Sequence, residues 1–483
     1  MDTPNLATEP LAELSAFSAP NLAETLGRLR NAWSANLPTY QQRRDDLERL
    51  RLAVIKHKHA LCEAVSADFG RRSRHETLIA DVMMVLEDIK HSRSKLKSWM
   101  RVRRVPIDPK AWPARGRIYH QPIGVVGILS PWNYPIQLAL APLTAAIAAG
   151  NHVMLKPSEH TPRTSELLKQ LLAEVFPADR VSVVLGGAEL AAAFSALPFD
   201  HLLYTGSTAV GRMVMAAAAK NLTPVTLELG GKSPTLIAPE YPIEKAVARI
   251  VAMKHLNAGQ TCIAPDYVFV PEHSVPAFVE AYRREIASAY PNLANNPDYS
   301  SIVSERQAQR LREYLTDART QGAEVIEICP GTAPGLESQI VAPTLVLGAT
   351  DAMKIMQEEI FGPILPVLTY SKLDDALDYI RQHARPLAFY HFDNEHKRTQ
   401  YVLSRVVAGG VTVNDCALHI TQHELPFGGV GASGMGHYHG HAGFLTFTKQ
   451  MPVFFQARWS SFWLLKPPFN KLADWAVEFL TRK

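Results

Sequence analysis

Three short segments carry residue types that could do chemistry together. Gly259-Gln-Thr-Cys262 places a thiol in a glycine- and polar-rich loop with no apolar run before it, a setting that can present sulfur and backbone amides to a cleft. Most lone cysteines are small buried hydrophobes, and a thiol is a nucleophile only where its surroundings favour the thiolate. Glu228, in LELGGKSP (227–234), ends a predicted strand and precedes two glycines, so its carboxylate can lie close to a bound substrate. Open α/β sheets gather their sites at such strand ends. Gly206-Ser207-Thr-Ala-Val-Gly211 follows a predicted strand and opens a predicted helix, where glycines let the backbone approach a phosphate and helix amides face it. Its GxxxxG spacing departs from the GxGxxG fingerprint, and alone it fits an ordinary β–α turn at least as well. A thiol, a carboxylate and a phosphate-binding turn, with no metal set among them, point to covalent catalysis coupled to a dinucleotide.

The rest of the sequence narrows the partners. The four cysteines, Cys62, Cys262, Cys329 and Cys416, lie far apart without CxxC spacing. That excludes a recognisable zinc or iron–sulfur motif, argues against a disulfide framework and makes a reducing, cytoplasmic compartment the default. His437, His439 and His441 would alternate onto one face of a strand, but their glycine-rich setting offers no second ligand set, so no metal site is expected. The net charge of +4 is spread along the chain, and the cluster Arg101, Arg103 and Arg104 has no interleaved aromatics. It reads as a solvated face or subunit contact, with no nucleic-acid partner. The N-terminal MDTPNLATEPLAEL lacks the pattern of a secretory leader. The uncharged stretch Ile118 to Leu155 is interrupted by Pro122, Pro131, Pro135 and Pro142, so it reads as a buried strand, a loop and a buried helix rather than a membrane span.

The elements that must position these residues follow from periodicity. Residues 20–100 show helical spacing of leucine and alanine. From about residue 123, short Val/Ile/Leu runs at 125–129, 152–156, 181–185, 201–205 and 225–229 alternate with helical stretches near 137–149, 162–175, 187–196 and 208–219. Doubly apolar strands alternating with helices imply a parallel sheet covered on both faces. A second alternating set runs from 235 to about 408, with strands at 267–270, 364–369 and 411–413 and helices near 275–289 and 304–321. The stretch Pro330 to Pro343 reads as a surface loop. The tail from Ser460 mixes aromatics with lysines and fits a C-terminal helix packed on its own or a neighbouring subunit; the sharper alternative is a peripheral membrane contact.

On these residues the sequence resembles the aldehyde dehydrogenase superfamily, from about residue 20 to 455. The resemblance rests on PWNYP (131–135), LKPSEHTP (155–162), YTGSTAVG (204–211), LELGGKSP (227–234), GQTCIAPDY (259–267), EEIFGP (358–363) and LPFGGVGASGMG (425–436), in the family's order. GQTCIAPDY and the short N-terminus are similar to the class 3 branch, and WLLKPPFN (463–470) is similar to bacterial coniferyl aldehyde dehydrogenases within it.

The resemblance implies an α/β fold with a Rossmann-like parallel-sheet cofactor domain (1–116 and 125–229, with a helical N-terminal part) and a second α/β catalytic domain (230–409). A small β oligomerisation extension and C-terminal active-site segment (117–124 and 410–455) and a tail (456–483) complete it. It implies a homodimer and an aldehyde substrate, aromatic or hydroxycinnamyl. Cys262 would form a thiohemiacetal, with Asn133 and the Cys262 N–H holding the oxyanion; hydride loss would leave a thioester, hydrolysed by water that Glu228 activates. Gly206, Ser207 and Gly211 would lie beneath the pyrophosphate, Lys156 and Glu159 at the adenosine ribose, Glu359 and Phe361 at the nicotinamide ribose and ring, and Trp132 along the cofactor channel. Glu159 favours NAD over NADP, while the branch's tolerance of both keeps NADP open. Cys416 departs from the aliphatic residue expected near the substrate entrance. The competing readings are a fatty-aldehyde dehydrogenase, for whose apolar anchor the tail is too polar; a CoA-acylating enzyme, disfavoured by Glu228; and a non-catalytic structural protein, disfavoured by the intact Cys262, Glu228 and Asn133.

Overall fold

The computed structural model describes residues 21–331, 335, 338–460 and 466–482. The N-terminal MDTPNLATEPLAEL, part of the Pro330–Pro343 loop and the first residues of WLLKPPFN lie outside these.

The runs with no polar face became the centre of a sheet. Val125–Leu129, His152–Lys156 and His201–Thr205 are buried at every position. They form a six-stranded sheet in the order Gly434–Met435, Val225–Glu228, His201–Thr205, Val125–Leu129, His152–Lys156, Val181–Val183, parallel except for Gly434–Met435. The chain enters at Val125–Leu129, moves outward to Val181–Val183, then returns to the other side through His201–Thr205. Its topological switch point therefore lies between Val125–Leu129 and His201–Thr205, where open sheets bind ligands. The connecting helices Gln137–Ala149, Pro162–Val175, Ala188–Ser195 and Thr208–Ala219 match their expected positions.

Pro142 sits inside Gln137–Ala149, within the helical stretch expected there. An interior proline costs roughly 3 kcal/mol. Here every residue of the helix is buried, and that packing outweighs the local penalty.

The second sheet has seven strands in the order Glu324–Glu327, Thr344–Leu347, Ile364–Tyr370, Tyr267–Pro271, Pro234–Ile237, Ala388–Phe392, Gly410–Val413. Its strands Pro234–Ile237 and Tyr267–Pro271 run parallel, so the loops that precede them, 229–233 and 257–266, share one edge. Glu228 ends its strand in the first sheet six residues before Pro234 begins its strand in the second. The carboxyl edge of the first sheet thus meets the amino edge of the second.

A three-stranded antiparallel sheet joins Arg103–Val105, Arg115–Pro122 and Thr448–Phe455. Arg101, Arg103 and Arg104 are exposed there. The N-terminal region is helical as expected: Leu22–Ala35, Tyr40–Phe69 and Arg74–Glu76, then a π-helical turn Thr77–Met83 leading into Met84–Trp99.

The histidine triplet does not lie on a strand. His439 immediately precedes the helix Gly440–Thr446 and stacks on Phe427, while His441 stacks on Trp99. Glycines at 434, 436 and 440 with φ of 142°, 85° and 51° break the extended geometry that alternation requires. At the C-terminus, the helix Lys471–Thr481 buries only Ala473 and leaves Leu472, Trp475 and Phe479 exposed. Among the described residues no helix is long and apolar enough to cross a membrane.

Candidate active site

Four chain segments converge where the two sheets meet. Leu129 is in register with both Lys156 and Tyr204, and Thr205 with Glu228. The loops after these strands carry Trp132 and Asn133, Glu159, Gly206 and Ser207, so these residues share one sheet edge.

Cys262 is half-buried in the turn before Tyr267–Pro271. The turn is built from left-handed backbone: Asn257, Ala258 and Gly259 have φ of 53°, 51° and 77°. A Cβ at Gly259 would overlap the Gly362 carbonyl, so only glycine fits. Burial, then the charges of Glu359 and Glu228, push the thiol up to about 12, while the N–H groups of Cys262 and Ile263 favour the thiolate. The resting sulfur is therefore protonated, within electrostatic reach of two carboxyl groups.

Glu228 is 2% exposed, and neither of its carboxylate oxygens has a hydrogen-bond partner. Burial holds its carboxyl well above the ordinary range. A buried acceptor without a donor costs free energy unless a water or ligand fills the role, so this carboxyl is suited to take a proton from a bound molecule. Asn133, 4% exposed, donates one amide hydrogen to the Gln260 carbonyl at 3.1 Å. Its amide thus lies against the cysteine turn with a second N–H to spare.

Glu359 packs so closely on Gly230 that a Cβ there would overlap its carboxylate. Lys232 of LELGGKSP ties this segment down, pairing with Asp266 and donating to the carbonyls of Ile355 at 2.8 Å and Glu358 at 3.0 Å. Phe361, at φ 49°, is held edge-on to Trp132 with ring centroids 5.4 Å apart. A non-glycine residue in that conformation is strained, and such strain collects at functional sites.

The dinucleotide-turn residues form a separate group. Lys156 pairs with Glu159 at 2.6 Å. Burial would raise the Glu159 carboxyl, but the hydrogen bond and charge of Lys156 leave it below the ordinary range, hence ionised. A Cβ at Gly206 would overlap the Tyr204 hydroxyl, and one at Gly211 would press into Leu229. Ser207 caps the helix Thr208–Ala219 by accepting from the Val210 N–H at 3.4 Å. A tight glycine turn, a capped helix start and a carboxylate–lysine pair fit a dinucleotide's pyrophosphate and ribose.

Cys416 is fully enclosed, within electrostatic reach of Tyr390, and lines no open entrance. Sequence reasoning missed the buried Tyr438 and Gln137, whose side chains interact with each other; the Tyr438 hydroxyl lies within electrostatic reach of both Glu228 and Cys262. It also missed the clamp role of Lys232, although Lys232 stands within a quoted motif.

Residues 9–453 match the model of the aldehyde dehydrogenase family. The chain belongs to the aldehyde dehydrogenase family. This aldehyde dehydrogenase is 49% identical over 451 residues to a probable coniferyl aldehyde dehydrogenase of Pseudomonas aeruginosa, covering 93% of this chain and 94% of that protein. It is 47% identical over 444 residues to a coniferyl aldehyde dehydrogenase of a Pseudomonas species, covering 91% and 92%. Its fold matches the substrate-bound state of Staphylococcus aureus AldH with a TM-score of 0.90 at 36% identity, covering 95% of this chain and 99% of that one.

Proposed function

We propose that this aldehyde dehydrogenase oxidises an aromatic aldehyde of the coniferyl type to its carboxylic acid, with NAD as the preferred cofactor and NADP as a possible substitute. The observation that carries this reading is the half-buried Cys262 within electrostatic reach of the orphaned, buried Glu228 carboxyl. The two Pseudomonas relatives supply the substrate class.

Cys262 gives up its proton to solvent water and its sulfur adds to the carbonyl carbon, forming a thiohemiacetal oxyanion. The Asn133 amide and the Cys262 N–H hold that oxyanion; a donor of this kind is worth about 3–4 kcal/mol of barrier. When bound, the nicotinamide supplies the acceptor for the hydride, and a thioester remains on Cys262. Glu228 takes a proton from water as its oxygen attacks the thioester; the Cys262 sulfur leaves as thiolate and the acid departs. Glu359 and Phe361 would hold the nicotinamide ribose and ring, Trp132 the channel, Lys156 and Glu159 the adenosine ribose, and Gly206, Ser207 and Gly211 the pyrophosphate. The ionised Glu159 accepts from free ribose hydroxyls and repels a 2′-phosphate.

The reading divides the chain into cofactor, catalytic and oligomerisation parts as the family does. It makes the protein a homodimer, for which the three-stranded sheet offers an open edge strand with Phe454 and Phe455 exposed. The exposed aromatic face of Lys471–Thr481 belongs to a neighbouring subunit in this reading, with a lipid surface as the alternative. Four unpaired cysteines suit a cytoplasmic location.

The test is NADH formation by purified protein with coniferaldehyde, cinnamaldehyde, benzaldehyde, hexanal and a long-chain alkanal. Coniferaldehyde should give the highest kcat/KM, and Cys262→Ala should abolish NADH formation with all five. Normal activity in Cys262→Ala would refute the mechanism; coniferaldehyde as the poorest substrate would refute the substrate class.

A further inference from the structure

The loops that carry Asn133 and Cys262 are both tied to one buried charge cluster for which the thioester chemistry has no direct use. The side chains of Arg72 and Asp81 have no exposed surface and face each other at 3.2 Å. Arg72 also donates to the main-chain carbonyl of Asn133 at 2.6 Å. Its guanidinium lies 5.1 Å from the Phe69 ring centre and 4.8 Å from that of Tyr134. Asp81 accepts the N–H groups of Ile136 at 3.2 Å and Gln137 at 2.9 Å, capping a helix whose own N-cap side chain makes no such bond. Glu76 accepts from the Asn257 N–H at 3.1 Å and the Ser300 hydroxyl at 2.6 Å. Asn257 closes the circuit, its Nδ2 reaching the carbonyls of Asn133 at 3.0 Å and Gln260 at 3.2 Å.

The local backbone is shaped for this. Glu76 and Asp81 are five residues apart, which an α-helix would set roughly 140° apart around its axis. The segment Thr77–Met83 is π-helical instead, and i→i+5 winding turns the two carboxylates towards one face. Burying such charges is expensive, and apolar replacements of a buried pair are often as stable or more so. Stability alone therefore does not explain the cluster.

We propose that Arg72, Glu76, Asp81 and Asn257 are positioning residues that set the gap between the Asn133 amide and the Cys262 N–H, the two donors to the oxyanion. The inference rests on the thioester reading above. None of the four touches substrate; they act by fixing where two loops sit. An arginine fork is needed at position 72 because it holds a carbonyl and a carboxylate together, which a lysine point charge cannot do.

The test is the stopped-flow NADH burst with NAD and benzaldehyde in the wild type, Arg72→Lys, Arg72→Met/Asp81→Asn and Asn257→Gly. The burst rate should fall by roughly 10- to 100-fold in all three variants, since small misplacements of reacting groups cost rates of that order. NAD affinity and alkylation of Cys262 by iodoacetamide should stay within about twofold, because neither needs the oxyanion donors. The double variant, with its buried charges neutralised together, should melt no lower than the wild type. A folded variant that keeps the wild-type burst rate overturns the inference. Asn257→Gly keeps the left-handed backbone at 257 and so carries the test if the Arg72 variants do not fold. Undiminished NADH formation in Cys262→Ala overturns the thioester reading and this inference with it, whereas variants that match an active wild type overturn this inference alone.

Discussion

Glu159 follows one strand of the first sheet and Glu228 ends another, yet their surroundings differ completely. The Glu159 side chain is 37% exposed and pairs with Lys156 at 2.6 Å; Glu228 is 2% exposed with both oxygens unpartnered. The first is held ionised and the second is driven towards the neutral acid. A satisfied carboxylate can grip a hydroxyl without reacting. A carboxyl whose proton affinity is raised by burial is the stronger base whenever it is ionised, and environments that push two carboxyl groups apart in this way commonly divide binding from chemistry.

The largest effect that separates them is expected at Glu228. Glu228→Gln keeps the shape and removes the base, so the first turnover should still release a burst of NADH. Steady turnover should fall by about 10²–10⁴, the usual worth of a general base. Stopped-flow absorbance with any accepted aldehyde measures both phases. Unchanged steady turnover would mean that the orphaned carboxyl is merely buried, and the contrast with Glu159 would lose its functional meaning.

A smaller change is expected at Glu159. Glu159→Ser removes a negative charge beside the ribose site, so kcat/KM with NADP should rise about tenfold relative to NAD. Ratios of initial rates with the two cofactors give the answer. An unchanged ratio would show that the pair with Lys156 serves local structure only.

The two regions were also unequally legible. The parallel sheet could be read because its strands are apolar on both faces, and Val125–Leu129, His152–Lys156 and His201–Thr205 begin and end where the apolar runs do. Glu228 stood out because a carboxylate between such a run and two glycines is an uncommon local pattern. The cluster that braces the site gave no such signal. Arg72, Glu76 and Asp81 look like ordinary charges of an amphipathic helix, and only the π-helical turn and complete burial reveal otherwise. The histidine triplet misled because alternation predicts a strand only where glycines leave the backbone extended.

Glu359 tests whether burial alone decides to which group a carboxyl belongs. It is half-buried against Gly230. Burial first, and then the charge of Asp266, push its carboxyl up to about 8, opposed by the Gly231 N–H and the charges of Lys232 and Arg310. A carboxyl that titrates near 4.5 in the unfolded chain and near 8 in the folded one binds its proton more tightly when folded. The stability it contributes is complete below about pH 4.5 and is lost as pH rises through about 8. Glu359→Gln cannot titrate, so between about pH 5 and about pH 8.5 its Tm should fall by a few degrees less than that of the wild type. Saturating NAD should narrow that difference, because a ribose hydroxyl donating to the carboxylate favours its ionised form. Calorimetric scans of both proteins, with and without NAD, read the effect. If the two melt in parallel without cofactor, Glu359 is ionised throughout and belongs with Glu159 as a gripping carboxylate, which would leave Glu228 alone as the carboxyl that burial keeps ready to take a proton.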